Sequence, residues 1–168
     1  MQDKYIKIIL KEAYKAYKYE EIPVGALIVY NDKIISKAYN NRQKKNNILG
    51  HAEIESILKA EKKLKDWRLD NCIMYVTMAP CKMCEVIINE SRISKVYYLI
   101  KNNKNLSNNY SELSGYLNEK KQYQELLNPA WESSRNNRRQ RKPRHLRGRT
   151  GSGPCRPGRS LRCPLRSS

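Results

Sequence analysis

An α/β fold with helices packed on a mixed sheet is predicted by three observations in the first hundred residues. Helix-period segments and β-prone apolar runs follow one another as helix, strand, strand, helix, strand, helix, strand. The first two strand-like runs are joined only by "ND", the length of an antiparallel hairpin turn. The last two, after Cys72 and after Lys95, are separated by a helix-length segment, which makes them parallel strands with a helical crossover.

The elements follow in order. Ile6, Ile9, Leu10, Ala13, Tyr14 and Tyr17 line one face of a helix between Asp3 and Tyr19. "PVGALIVY" reads as a buried strand, "ND" as the turn and "KIISKAY" as the returning strand. Polar residues from Asn40 to Asn47 predict a loop. A second helix runs from about His51 to Lys65 with Ile54, Ile57, Leu58 and Leu64, and its later lysines suit the negative end of the dipole. "CIMYVT" is a strand stopped by Pro80. A helix then opens at Cys81 with Val86, Ile87 and Ile88 facing inward, and "KVYYLI" is the next strand. The asparagine-rich stretch from Lys101 to Tyr110 predicts a loop. "ELSGYLNEKKQYQELL" predicts a last helix, weakened by Gly115 by about 1 kcal/mol relative to alanine.

A chain of 168 residues has room for one domain and a tail. Mean hydropathy of −0.83 and a net charge of +18 point to a polyanionic partner. Residues 1–128 hold 22 Lys and Arg against 15 Asp and Glu, a net +7, with all 12 tyrosines. Residues 129–168 hold 12 against 1, a net +11, with 11 arginines. The expected division is therefore a domain over 1–128 and a basic, disordered tail over 129–168. The tail reads as appended sequence of separate origin or as an arginine-rich arm that folds on RNA. No run reaches the roughly 20 apolar residues that cross a bilayer, and the amino-terminal stretch is too charged for a signal peptide. A cytoplasmic protein with no membrane partner is expected.

"HAEIESIL" puts His51 and Glu53 at the mouth of the second helix. Alone, they read as a cap and a dipole-favoured carboxylate. "PCKMC" changes that, because Cys81 and Cys84 present two sulfurs from one helical turn, and two thiolates with an imidazole are good zinc ligands. Three protein ligands leave a position open for water, as catalytic sites do, and Glu53 is placed to touch that water. Cys72 as a fourth ligand would close the site. It lies at the far end of a strand, roughly 30 Å from Cys81 at ~3.3 Å per residue, and reads as a buried thiol. His145, Cys155 and Cys163 fall in the tail and are not expected to bind metal.

H-x-E followed by P-C-x-x-C is the signature of zinc nucleobase deaminases. Around it, "EEIPVGALIV", "GHAEI", "DWRLDNCIMYVTMAPCKMC" and "SRISKVYY" resemble successive blocks of the bacterial tRNA-specific adenosine deaminases, covering about Glu20 to Tyr98. The resemblance implies a cytidine-deaminase-like three-layer α/β/α sandwich with a mixed central sheet, usually a homodimer, that converts the wobble adenosine of a tRNA anticodon arm to inosine. It implies one Zn²⁺ per subunit on His51, Cys81 and Cys84, and Glu53 as the catalytic general acid/base. Asn40 is expected to hydrogen-bond the flipped base, Val24 to form an apolar wall and the Ala52 N–H to meet the base edge. Arg42, Lys44 and Lys45 are candidates for phosphate steering.

The sequence departs from that family at Ala79, commonly glutamate, and at Gly50, often alanine. After Tyr98 the family's phenylalanine-rich final helix has no counterpart, and this chain contains no phenylalanine. Two alternatives follow: a deaminase of a free base or nucleotide such as guanine or cytosine, and a catalytically impaired RNA-binding protein.

Overall fold

The computed structural model describes residues 2–101 and 108–140. Helix α1 (Asp3–Lys18) leads to β1 (Gly25–Tyr30) and β2 (Lys33–Tyr39). A short helix α2 (Arg42–Lys45) precedes α3 (Ala52–Leu64), β3 (Ile73–Met78), α4 (Lys82–Glu90) and β4 (Lys95–Ile100). A three-residue strand β5 (Tyr110–Glu112) and helix α5 (Leu117–Gln140) complete it. The sheet order is β2-β1-β3-β4-β5. β1 is antiparallel to β2 and β3, whereas β4 is parallel to both β3 and β5. The sheet is therefore mixed, and α4 is the crossover between its central parallel pair.

Asn31 and Asp32 both have positive φ, 47° and 59°. That geometry suits the twist of a two-residue hairpin, and these two residue types tolerate it. Along the central strands, side chains alternate between two cores. Ala26, Ile28, Met74, Val76 and Val96 pack with Ile54 and Ile57 of α3 and Ile88 of α4. Leu27, Val29, Tyr75 and Leu99 pack with Ile6 and Ile9 of α1 and Tyr123 and Leu127 of α5. With both faces covered, these strands read as unbroken apolar runs. The result is the three-layer sandwich. At Gly25 helix α1 approaches so closely that a Cβ would run into the Ile9 carbonyl and lie 2.7 Å from the Ala13 nitrogen.

The structure differs from the sequence reading in five places. The polar loop after Asn40 contains the single turn of α2, closed by Asn46 in the left-handed region at φ 50°. β5 forms where loop ran into expected helix, and Gly115, at φ +83°, lies in the turn before α5 and not within it. Leu58 and Val86 are 51% and 62% exposed, so Val86 does not face inward as expected. Finally, α5 continues through Pro129 to Gln140, so residues 129–140 are helical and the boundary expected after Asn128 falls inside a helix. A proline in a helix interior costs about 3 kcal/mol. Burial of Tyr123, Leu127 and Ala130 offsets it, since a large apolar side chain contributes about 1.5–3 kcal/mol. Residues 141–168 lie outside the described residues, and with them His145, Cys155 and Cys163. Among the described residues, no helix is long and apolar enough to cross a membrane.

Candidate active site

Two helix starts on the same face of the sheet build the site. His51 and Cys81 are the cap residues of α3 and α4, both with extended backbone, and neither makes a side-chain capping hydrogen bond. The capping role open to His51 in the sequence is thus not the one it takes. Its ring turns to the sulfurs: Nδ1 lies 3.4 Å from Cys84 Sγ and 3.8 Å from Cys81 Sγ, and the sulfurs are 3.6 Å apart.

These separations fit zinc. With Zn–S of about 2.3 Å and Zn–N of about 2.0–2.1 Å, the edges of a tetrahedral site run about 3.5–3.8 Å. Among the described residues, His51, Cys81 and Cys84 form the one group of three potential ligands, with all donor atoms within 4.8 Å. Two sulfurs and one imidazole are also the donor set a borderline-soft ion prefers. Cys72 is outside the group and fully buried, its thiol pushed up to about 11 by burial and the nearby Asp70 carboxylate.

The electrostatics already favour ligation at Cys81. Its contacts with Cys84 and then His51 hold its thiol down to about 3, and it sits at the positive end of α4. Cys84 is pushed up by the neighbouring Cys81 sulfur and by burial. His51 is raised by its contact with Cys81. Glu53 is 5% exposed, and burial pushes its carboxyl above the usual range. A carboxyl displaced in that direction holds a proton more firmly than a free glutamate, the sense in which a proton shuttle is tuned.

A cavity of 140 Å³ opens onto this group, lined by His51, Ala52, Glu53 and Cys81. Ile22, Val24, Asn40 and Arg42 also line it, the first three joined by hydrogen bonds into one wall, together with Met78 and Ala79. Asn40 is buried, and its Nδ2 donates to the Ile22 carbonyl at 3.1 Å, which leaves Oδ1 to meet a ligand. Ala52 stands at the first position of α3, where a backbone N–H has no partner inside the helix. Of the three candidate phosphate-steering residues, only Arg42 lines the cavity. Lys45 pairs with Glu55 at 2.8 Å, and Lys44 lies over the Tyr19 ring.

The strand that delivers Cys81 is anchored from both sides. The Gly25 N–H donates to Thr77 Oγ1 at 3.1 Å, and the Thr77 hydroxyl bonds the Tyr123 hydroxyl at 3.1 Å. The Ala79 N–H then donates to the Ile100 carbonyl at 2.9 Å. Sequence reasoning missed Ile22 and Met78 as lining residues and missed the Thr77–Tyr123 support. Ile22 had a legible signal, since it immediately precedes the proline of "IPVG"; Tyr123 had none.

Residues 1–100 match the family model for the cytidine and deoxycytidylate deaminase zinc-binding region. A tRNA-specific adenosine deaminase of Bacillus subtilis (strain 168) is 42% identical over 94 residues, covering 56% of this chain and 58% of that protein. One from Rickettsia bellii (strain RML369-C) is 46% identical over 91 residues, 53% of this chain and 63% of that protein. The chain thus matches about three-fifths of the length of these curated relatives. Among solved structures, one from work on A-to-I editing by tRNA deaminases at the wobble position of transfer RNA superposes with a TM-score of 0.66 and 26% identity, covering 74% of this chain and 99% of that one. A guanine deaminase from Bacillus subtilis superposes with a TM-score of 0.57 and 33% identity, covering 60% and 65%. With this fold, this donor set and a family match over residues 1–100, the chain belongs to the cytidine and deoxycytidylate deaminase zinc-binding family.

Proposed function

We propose that this protein is a zinc-dependent hydrolytic deaminase that converts adenosine to inosine at the wobble position of a tRNA anticodon. The observation that carries the reading is the buried Glu53 beside the His51–Cys81–Cys84 group on one base-sized cavity, in a chain 42–46% identical to tRNA-specific adenosine deaminases over the matched stretch.

His51 Nδ1 and the sulfurs of Cys81 and Cys84 hold one zinc per subunit, and Cys81 is already set toward its thiolate form. When bound, zinc supplies the Lewis acidity that makes water a nucleophile at neutral pH. Glu53 takes a proton from the water as its oxygen attacks purine C6 and places that proton on the adjacent ring nitrogen. A second transfer through the same carboxyl carries the remaining water-derived proton from the C6 hydroxyl to the C6 amine, so that the carbonyl forms as the C–N bond breaks and ammonia leaves. Asn40 Oδ1 and the Ala52 N–H address the edge of the flipped base, and Val24 packs on its face. Arg42, at the mouth, meets the phosphodiester chain on either side.

The working unit is a cytoplasmic homodimer acting on the anticodon arm. Leu58 of α3 and Val86 of α4, both exposed, are side chains that a second copy would cover. The deaminase domain comprises residues 1–128, with α5 carrying it on to Gln140. Incubating zinc-loaded protein with an anticodon stem-loop containing a wobble adenosine, and separately with guanine, cytosine and adenosine, tests the reading. Inosine in the stem-loop is expected. The likeness to guanine deaminase favours the second reading, deamination of a free base, and turnover of guanine without turnover of the stem-loop would select it. Zinc and RNA binding with no product at any enzyme concentration would instead mark an impaired RNA-binding protein.

A further inference from the structure

Glu21 has no part in the chemistry above, yet its carboxylate is 2% exposed. Oε1 accepts the Lys44 N–H at 2.7 Å from 23 residues away. Oε2 is buried with no hydrogen-bond partner among the described residues. A buried carboxylate with one unpaired oxygen lowers stability, so it calls for a reason other than packing.

That reason lies in what the hydrogen bond holds. Ile22, next to Glu21, and Val24 beyond Pro23 line the cavity together with Asn40 and Arg42. The two segments are joined at successive points. The Val24 carbonyl accepts the Asn40 N–H at 2.9 Å, the Ile22 carbonyl accepts Asn40 Nδ2 at 3.1 Å, and Glu21 accepts the Lys44 N–H. The Lys44 ammonium also lies 3.9 Å from the centroid of the Tyr19 ring, which stacks on Tyr39 at 6.0 Å. Lys44 is thus tied to the Tyr19–Glu21 segment by both backbone and side chain, and Arg42 stands between that tie and Asn40.

We infer that Glu21 is a positioning residue whose carboxylate pins the Arg42–Lys45 turn and so fixes Arg42 and Asn40 in the wall that receives the substrate. A charged acceptor holds an N–H more firmly than a neutral one, which accounts for a carboxylate here and not an amide. The kinetic part of this inference rests on the deaminase reading; the pin itself does not.

Amide hydrogen exchange at Lys44 in the full-length, zinc-loaded protein reads the pin without substrate. Glu21→Ala is expected to speed that exchange by about tenfold, the loss of one hydrogen bond. Zinc stoichiometry should be unchanged, while KM for the stem-loop rises about tenfold and kcat stays within about threefold, as for a lost binding interaction. Glu21→Gln, which keeps an oxygen acceptor without the charge, should recover most of both effects. Unchanged exchange at Lys44 overturns the pin, and faster exchange with unchanged KM overturns the positioning role. Should Glu21→Ala not fold, Glu21→Gln decides: a rise of about two- to threefold in both readouts supports the inference, and no change in either refutes it. A wild type that makes no inosine sinks the proposed activity instead, and affinity for the stem-loop then takes the place of KM.

Discussion

On the α1/α5 face of the sheet Tyr75 stacks on Tyr97 with ring centroids 5.2 Å apart, and Tyr5 of α1 packs at a tilt against Tyr75 at 4.8 Å. The hydroxyls of Thr77 and Tyr123 meet there and satisfy one another. On the other face, α3 and α4 begin with His51 and Cys81, whose side chains leave their own helix ends uncapped and converge. The strands between are the same, and alternate residues of β3 serve both faces. The comparison teaches where a sandwich can keep reactive groups. On the α1/α5 face the Thr77 and Tyr123 hydroxyls pair with each other, whereas the α3/α4 face leaves two helix mouths and a buried carboxyl open to a cavity.

The sharpest way to separate the faces is to remove a sulfur. Cys81→Ser or Cys84→Ser should abolish stoichiometric zinc and, with it, activity, and should lower the melting temperature of the zinc-replete protein, because ligand binding and folding free energy are linked. Metal analysis with thermal melts in both variants checks this, and full zinc content would remove the sulfurs from the ligand set.

Next in size is Gly50→Ala, on the site side. Gly50 is one of the departures from the family pattern, and a Cβ there would lie 2.7 Å from Asn41 Oδ1, 2.8 Å from Arg42 Cα and 2.9 Å from the Arg42 nitrogen. Overpacking of this kind costs about 1–3 kcal/mol, and here the displaced backbone is that of a cavity residue. Chemical denaturation and stem-loop kinetics should show stability and kcat/KM falling together.

Tyr123→Phe makes the matching change on the α1/α5 face. Losing the hydroxyl leaves the packing of a fully buried ring intact and forfeits one hydrogen bond, about 0.5–1.5 kcal/mol. Zinc content and kcat should stay at wild-type values in parallel assays. A large loss of activity would mean that the support under Cys81 is part of the site. The smallest effect on the fold is expected from truncation after Gln140. It removes arginine-rich sequence and should leave zinc and melting temperature unchanged while flattening the salt dependence of RNA binding measured by titration.

How much was legible in the sequence follows from the same physics. From Asp3 to Ile100, each long element announces itself by period or by an unbroken apolar run, because burying one stripe or both faces constrains every residue. α2 and β5 have four and three residues, too few for any period to show. Val86 is apolar and exposed, and its spacing on α4 does not distinguish it from a core residue. Helix α5 crosses Pro129 because tertiary burial overrides local preference, which no window of sequence records. His51, Cys81 and Cys84 were legible since ligand chemistry admits few residue types at few spacings. Glu21 was not: beside Glu20 it reads as one more loop charge, and only the fold shows that one of the two is buried.

The most direct measurement is inosine formation by Glu53→Gln in protein verified to carry one zinc per chain. Glutamine keeps the shape of the side chain and cannot shuttle a proton. Zinc and fold should therefore be retained while turnover of the stem-loop falls by about 10²–10⁴-fold. Turnover near the wild-type value in that zinc-replete variant would contradict the central assignment and return Glu53 to the role of a helix-start carboxylate.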